Sequence, residues 1–182
     1  MNKRETRFIA YLLVSVAVAG FSCYSNHQQY QQVSAPVIAG AFVPAKQAKF
    51  SDCHVNGKYP DPACTPGVTI ASVTKDQVCT PGYSKTVRNV PDSEKKNDYA
   101  EYGISHHATG EYEVDHFISL ELGGSNDISN LFPEAANPAP GFHEKDKVEN
   151  YLHAQVCSGA ISLNEAQREI ATDWYAVYQR MP

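Results

Sequence analysis

The residues with the clearest capacity for chemistry are Asp115 and His116, within YEVDHFISLELGGSNDISNLFPE at 112–134. A neutral imidazole titrates near physiological pH and suits the role of a general base. A carboxylate supplies the oxygen ligands that Mg²⁺ and similar ions prefer. Taken alone, such a pair has even odds of being a structural hydrogen-bonded pair or a metal-and-base site. The residues around it must therefore distinguish the two.

The pair lies in a segment that reads as a strand. Apolar and polar residues alternate from Tyr112 to Leu122, followed by a Gly-Gly turn and a short returning strand, Asn130–Phe132. Neighbouring side chains of a regular strand point to opposite faces. Asp115 and His116 therefore share one groove only if a bulge or twist interrupts the strand, and we predict such an irregularity at 115–117.

Helices are predicted on both sides of this hairpin. SEKKNDYAEYG reads as a short helix that ends at Gly103. The Pro-rich segment 133–141 is predicted to be a loop. Apolar residues at helical spacing then predict a helix over 143–156, and a capping box at Ser162–Glu165 opens a last helix. Its predicted core face comprises Leu163, Ala166, Ile170, Trp174 and Val177.

The order of these elements resembles the ββα-metal core of HNH (His-Me finger) nucleases. Asp115-His116 lies on the first strand, Asn130 on the second, and His143 opens the helix. With the flanking blocks DPACTPG, CTPGYSKTVR, HEKDKVENYLHAQVCSG and LNEAQREIATDWYAVY, the chain is similar to a group of exported bacterial HNH-like proteins. The resemblance covers about 61–178. It implies an α+β, disulfide-braced domain with C-terminal helices and metal-dependent endonuclease activity.

The resemblance also implies a role for each residue of the site. His116 is the general base, and Asn130 is a positioning residue that holds the hairpin. Asp115 and His143 hold a divalent ion, for which Mg²⁺ is the first expectation and Mn²⁺ or Zn²⁺ the alternatives. His143 follows Asn130 by 13 residues, a longer spacing than in short HNH motifs, and Asn137, at seven residues, is a rival ligand.

Three basic residues are candidates for phosphate contacts. Lys145 and Lys147 lie on the first turns of the predicted helix, and Arg88 precedes the hairpin. An ordinary solvated charge run, HEKDKVEN, explains the two lysines equally well.

The charge balance limits how the chain can bind nucleic acid. The formal net charge is −5, and without the first 22 residues, which hold three basic and one acidic side chain, it is near −7. Tight electrostatic binding of a duplex normally relies on Lys and Arg. For the endonuclease that the resemblance implies, this charge balance predicts low sequence specificity on DNA or RNA, and we expect a monomer. The alternatives are a non-catalytic envelope module on the same scaffold and a hydrolase of another phosphodiester.

The N-terminus reads as an export signal, residues 1–22. A basic start precedes the apolar run FIAYLLVSVAVAGF, and Ala17-Val18-Ala19 offers a cleavage site. Residues 23–49 read as a flexible tether and 50–182 as the folded domain. We predict a secreted or periplasmic protein. Attachment to a membrane through a lipidated Cys23 is the alternative, and an immunity partner is left open.

The four cysteines of the predicted domain form an even set, as expected of two disulfides in an exported chain. Three pairings are possible, and we favour Cys53–Cys64 with Cys79–Cys157. The absence of any C-x-x-C spacing argues against a zinc knuckle.

Overall fold

A computed structural model describes residues 45–182, so the predicted signal peptide and most of the predicted tether lie outside the described residues. Within this part the fold is mixed α+β, with one two-stranded antiparallel sheet, five α-helices and two disulfides. Contacts begin slightly before the predicted boundary at Phe50. The backbone N–H groups of Ala48 and Lys49 both donate to the carbonyl of Ala63.

The elements follow the order helices, hairpin, helices. Two short helices, α1 and α2, precede α3, and the strands β1 and β2 form the hairpin before the long helices α4 and α5. Their bounds are Lys75–Val78 (α1), Tyr83–Val87 (α2), Asp92–Glu101 (α3), Tyr112–His116 (β1), Leu131–Ala135 (β2), Phe142–Ser158 (α4) and Leu163–Arg180 (α5). Two 3₁₀ turns, Leu120–Leu122 and Ile128–Asn130, lie between the strands.

The first strand is shorter than predicted and ends at His116. Its pairing with β2 is regular from Tyr112 opposite Ala135 to His116 opposite Leu131, with no bulge. The backbone bends only from Phe117 onwards. The irregularity predicted at 115–117 is therefore absent at Asp115 and His116, where the prediction is wrong, and begins only at Phe117. The two side chains leave opposite faces of a regular strand.

The predicted strand beyond His116 is a bend and a 3₁₀ turn. The hydroxyl of Ser119 accepts the backbone N–H of Glu121 and caps this turn. Ile118, Leu120 and Leu122 are all buried there. Their burial explains the apolar pattern, because short apolar runs do not distinguish a strand from other buried backbone.

The returning strand extends further than predicted, through Pro133 to Ala135. The prediction that a loop starts at Pro133 is therefore wrong. A two-stranded sheet has only edge strands, and proline is tolerated in such a strand because one side of it needs no partner.

The main core lies between the two C-terminal helices and the segment after β1. The helical faces predicted for α4 and α5 are the buried ones, and the hydroxyl of Ser162 accepts the Glu165 N–H at the start of α5. The core residues are Val78, Ile118, Leu122, Val148, Leu152, Val156, Ala166, Ile170, Trp174 and Val177. Hence α4 is anchored along its length, which fixes the position of its first turns against the hairpin.

Both favoured disulfides are confirmed. Cys53 joins Cys64, 11 residues later, and Cys79 at the end of α1 joins Cys157 on α4, 78 residues later. Disulfides indicate an oxidising environment. None of the helices in residues 45–182 combines the length and hydropathy that a bilayer crossing requires.

Candidate active site

Asp115 is held in place by an ion pair and a local hydrogen bond. It is the fourth residue of β1 and is buried. Its Oδ1 accepts the backbone N–H of His116 at 2.8 Å, and its Oδ2 accepts from the Nζ of Lys145 at 2.7 Å. Lys145 comes from the first turn of α4, so this ion pair ties the hairpin to the helix.

Lys145 has no contact with solvent; its side chain is 0% exposed. Besides Asp115, its Nζ donates to the carbonyl of His116 at 2.8 Å and to Oε1 of Glu149 at 2.5 Å. These three acceptors use all three hydrogens of the ammonium group. The second oxygen of Glu149 accepts from the hydroxyl of Ser119 at 2.6 Å. Lys145 is therefore not available to phosphate, and neither of its predicted settings, phosphate contact or solvated charge run, describes it.

The electrostatics of this cluster follow from that network. Burial alone would lower the pKa of Lys145, but the charges of Asp115 and Glu149 raise it above its ordinary range. Burial alone would raise the pKa of Asp115, but the charge of Lys145 holds this pKa below its usual value. For Glu149, burial raises the pKa to about 7 despite the nearby Lys145.

His116 contacts a different set of residues. Its Nε2 lies 3.2 Å from Oδ1 of Asn126. That oxygen also accepts the backbone N–H of Asn89, while the Asn126 amide nitrogen donates to the carbonyl of Val87. Two backbone groups thus fix the orientation of the Asn126 amide. Because Oδ1 can only accept, the ring proton of neutral His116 lies on Nε2, and Nδ1 is the acceptor nitrogen.

The ring of His116 is kept neutral. Burial lowers the pKa of His116 to about 4, although the Asp115 charge opposes the shift. The residue is only 2% exposed, and its Nδ1 has no hydrogen-bond partner among residues 45–182. Buried polar atoms normally have a partner. An unpartnered basic nitrogen in a buried ring is therefore a feature that calls for a function.

Asn130 holds the backbone that follows β1. Its side-chain Oδ1 accepts the N–H groups of Ile118 and Val68, and its Nδ2 donates to the carbonyls of Ile118 and Ser125. The carbonyl of Asn130 accepts the N–H of Phe117. The side chain is fully buried. Asn130 thus fixes the bend at the end of β1, in agreement with a positioning role.

Three further acids lie around Asp115. Burial and then the Asp115 charge raise the pKa values of Glu113 and Asp146. Glu134, on β2, is 3% exposed, and neither of its carboxylate oxygens accepts a hydrogen bond from residues 45–182. Burial raises the pKa of Glu134 to about 10, opposed by Lys145 and reinforced by Asp115. The region therefore has more acid than its one buried lysine balances.

The remaining predicted residues are at the surface. His143 is the second residue of α4, with its ring 4.2 Å from that of Phe142. Asn137 is exposed in the loop before α4, and Lys147 pairs with Glu144 at 3.3 Å. Arg88 is exposed and close enough to influence the titration of His116.

The structure brings together a different set of potential metal ligands from the predicted one. Within residues 45–182, the one group of three or more His, Cys, Asp or Glu ligand atoms within 4.8 Å of one another is Cys79, His153 and Cys157. Because Cys79 and Cys157 form a disulfide, this Cys-His-Cys group could bind a metal ion once that bond is reduced. In the described part of the chain, neither Asp115 nor His143 belongs to such a group of three.

The sequence did contain a signal for the buried lysine. Lys145, Val148, Leu152 and Val156 follow one helical stripe, and all four are buried. A lysine in an apolar stripe is expected to pair with an acid. Glu149, one helical turn after Lys145, was within reach of the same reasoning. By contrast, Asn126 gave no local signal, because its partners His116 and Val87 are 10 and 39 residues away.

The resemblance to HNH nucleases rests on motifs of the chain itself. No known family model, curated protein or solved structure matches this sequence.

Proposed function

We propose that this protein is an exported, metal-dependent endonuclease that hydrolyses phosphodiester bonds of DNA or RNA with low sequence specificity. His116 acts as the general base. The observation that carries the proposal is the buried neutral ring of His116, whose acceptor nitrogen has no partner in the described part of the chain. A ring that needed only to be stable would be expected to have both nitrogens satisfied.

The base function follows from the tautomer. Nδ1 accepts a proton from the water that attacks phosphorus, and the ring becomes an imidazolium ion next to ionised Asp115. The departing oxygen takes its proton from solvent. With its pKa near 4, His116 is in the basic form throughout the neutral range. Because the ring is 2% exposed, the surface over it must open to admit water and substrate.

The acids around Asp115 fit a hard divalent cation held by few protein ligands. Mg²⁺ typically uses one or two carboxylates and keeps several waters. With hydrogen bonds from His116, Lys145 and Glu134, the Asp115 carboxylate keeps one of its about four acceptor positions for the ion. Burial first, and then the charge of Asp115, raise the pKa values of Glu113 and Asp146, and a cation would offset the second of these effects. Asp115 would hold the ion with His143, and the ion would stabilise negative charge on the phosphate.

Export is part of the same proposal. Two disulfides suit the periplasm or the exterior. The predicted signal, with secretion as the first expectation and a lipidated Cys23 as the alternative, accounts for delivery to that compartment. Exposed Arg88, near His116, and Lys147 remain the candidates for contact with the substrate backbone.

A plasmid-nicking assay tests the proposal. The oxidised protein is incubated with supercoiled DNA, and separately with RNA, in Mg²⁺ or Mn²⁺, with and without EDTA. We expect cleavage that EDTA abolishes, and a loss of about 10²–10⁴-fold in His116→Ala. The matched control is His106→Ala, at an exposed loop histidine, which should cleave normally. An inert wild-type protein, or a fully active His116→Ala, would refute the nuclease.

A non-catalytic envelope module is the second candidate, and a specific observation favours it. Both oxygens of Asp115 already accept hydrogen bonds, and the strand is regular at the point where HNH-like convergence was expected. In that case Asp115 and Lys145 serve only to join the hairpin to α4. This candidate predicts no cleavage of DNA, RNA or small diesters in any metal, with full folding of His116→Ala.

A further inference from the structure

A second cluster of reactive side chains lies at the Cys79–Cys157 disulfide. His153 and Cys157 are one turn apart on α4, so both side chains project from the same face towards Cys79. The Nε2 of His153 lies 3.4 Å from the Sγ of Cys157, and all three ligand atoms lie within 4.8 Å of one another. None of these residues takes part in the proposed phosphodiester chemistry.

The other nitrogen of His153 faces a carboxylate. Its Nδ1 lies 4.0 Å from Oε2 of Glu121, a buried oxygen that has no hydrogen-bond partner in the described part of the chain. Metal-bound histidines typically donate their second ring N–H to a carboxylate, which fixes the tautomer. Glu121 stands where that acceptor is needed.

We propose that Cys79, Cys157 and His153 form a zinc site when the Cys79–Cys157 disulfide is reduced. A dithiol reductant supplies two electrons and two protons, which break the S–S bond and give two thiols, while the reductant becomes a disulfide. Zn²⁺ then binds the two thiolates and releases both thiol protons. Nε2 of His153 becomes the third ligand as its proton is relocated to Nδ1, facing Glu121.

The ligand chemistry selects zinc over the hard ions expected at Asp115. Two thiolates and one imidazole suit Zn²⁺, whereas Mg²⁺ prefers oxygen. Three protein ligands leave a fourth tetrahedral position for water. As a disulfide, the same sulfurs are poor ligands because they carry no thiolate charge. The site is therefore specific to the reduced chain.

Zinc would replace the covalent link between these two elements by a metal-coordinated one. The disulfide joins the end of α1 to α4, and a zinc ion bound to Cys79 and Cys157 joins them too. One contact is exchanged, since His153 Nε2 now lies 3.0 Å from the carbonyl of Val78 and would turn from that oxygen to the ion. The protein would thus keep this connection in both reducing and oxidising surroundings.

The test uses the mature chain, residues 23–182, with Cys23→Ser so that only the two disulfides supply thiols. The protein is reduced without oxygen and titrated with Zn²⁺, and with Co²⁺ as a spectroscopic probe. We expect one tightly bound ion per chain, thiolate-to-cobalt charge-transfer absorption, and a higher melting temperature with Zn²⁺ than without. The oxidised protein should show none of these.

Three variants separate this site from adventitious thiol binding. Glu121→Gln should lower the zinc affinity about 10–100-fold. His153→Asn, which keeps every cysteine of the parent, should lower the zinc affinity further. His106→Asn, in an exposed loop, should bind as the parent does. If the reduced parent binds no zinc, or if His153→Asn binds it equally well, the proposal is wrong. This result does not depend on whether the oxidised protein cleaves nucleic acid.

Discussion

The two sides of the Asp115–His116 dipeptide differ in how completely their polar atoms are satisfied. On one side, the Asp115 carboxylate, the Lys145 ammonium and the Glu149 carboxylate are joined through hydrogen bonds of 2.5–2.7 Å. On the other, one nitrogen of His116 is held by Asn126 and the second is unpartnered in the described part of the chain. Of these two adjacent residues, Asp115 has both of its oxygens hydrogen-bonded, whereas His116 has one nitrogen without a partner.

The difference suggests a division of labour. A buried charge left without its partner is strongly destabilising, so the Asp115 side must remain intact for the hairpin to stay on α4. The His116 side retains an unused acceptor at some cost in stability, which is typical of functional sites. Variants on the two sides should therefore differ in kind: one set should unfold the protein, and the other should change its chemistry.

The largest effect is expected for Lys145→Met. Removing the ammonium leaves Asp115 and Glu149 buried without their counter-ion, which we expect to cost about 3–5 kcal/mol of unfolding free energy. Urea denaturation of the oxidised protein measures it. The matched control is Lys147→Met, two residues along the same helix at an exposed position, which should change stability by less than about 0.5 kcal/mol. Equal effects would refute the buried network.

Asn126→Ala should change the chemistry of His116 and not the Asp115–Lys145 network. Without the amide, neutral His116 is no longer restricted to the tautomer with a free Nδ1. We expect a drop in the cleavage rate smaller than the about 10²–10⁴-fold loss for removing the base itself. The KM should be unchanged, because Asn126 does not touch substrate in this account. A shift confined to KM would contradict a positioning role.

Glu134→Gln should have the smallest effect of the three variants, a change in the free energy of unfolding that depends on pH. The folded-state pKa of Glu134, about 10, lies above its unfolded value, so folding takes up a proton between the two values. Its stabilising contribution is therefore complete in acid and is lost as pH rises through the folded pKa. Glutamine cannot ionise, so the variant does not lose stability in this way as the pH rises.

We accordingly expect Glu134→Gln to be more stable than the parent at pH 8 by at least about 1 kcal/mol, and the difference to shrink towards pH 5. Denaturation at both values measures it. Glu111→Gln, at an exposed position just before β1, should show no such trend. A Glu134→Gln protein that is less stable at pH 8 would show that the carboxylate is ionised and partnered.

The sequence predicted the parts of the fold that depend on local periodicity. The stripes of α4 and α5 were found because helical spacing is a local signal. The even cysteine set predicted two disulfides but left three pairings open, of which the favoured one is formed. The end of β1 was misplaced because Ile118, Leu120 and Leu122 are buried in a turn and mimic strand alternation. In short apolar runs, burial and secondary structure are not separable.

The candidate site was predicted only in part, for a related reason. Asp115, His116 and Asn130 were identified from their types and order, and the structure buries all three. The roles of Lys145 and Asn126 depend on partners 30 and 10 residues away. Contacts between residues so far apart cannot be predicted from spacing along the chain. The ion pair between Asp115 and Lys145 is therefore seen only in the structure.

The central claim is that the fold holds His116 neutral, with its proton on Nε2 and Nδ1 free to accept another. Nitrogen-15 chemical shifts of the ring, followed from pH 8 to pH 4, test this most directly. The account predicts an unprotonated Nδ1 and a ring still neutral at pH 5.5, with a midpoint near 4. A midpoint close to the ordinary histidine value of about 6.5, or a proton on Nδ1 at neutral pH, would contradict it.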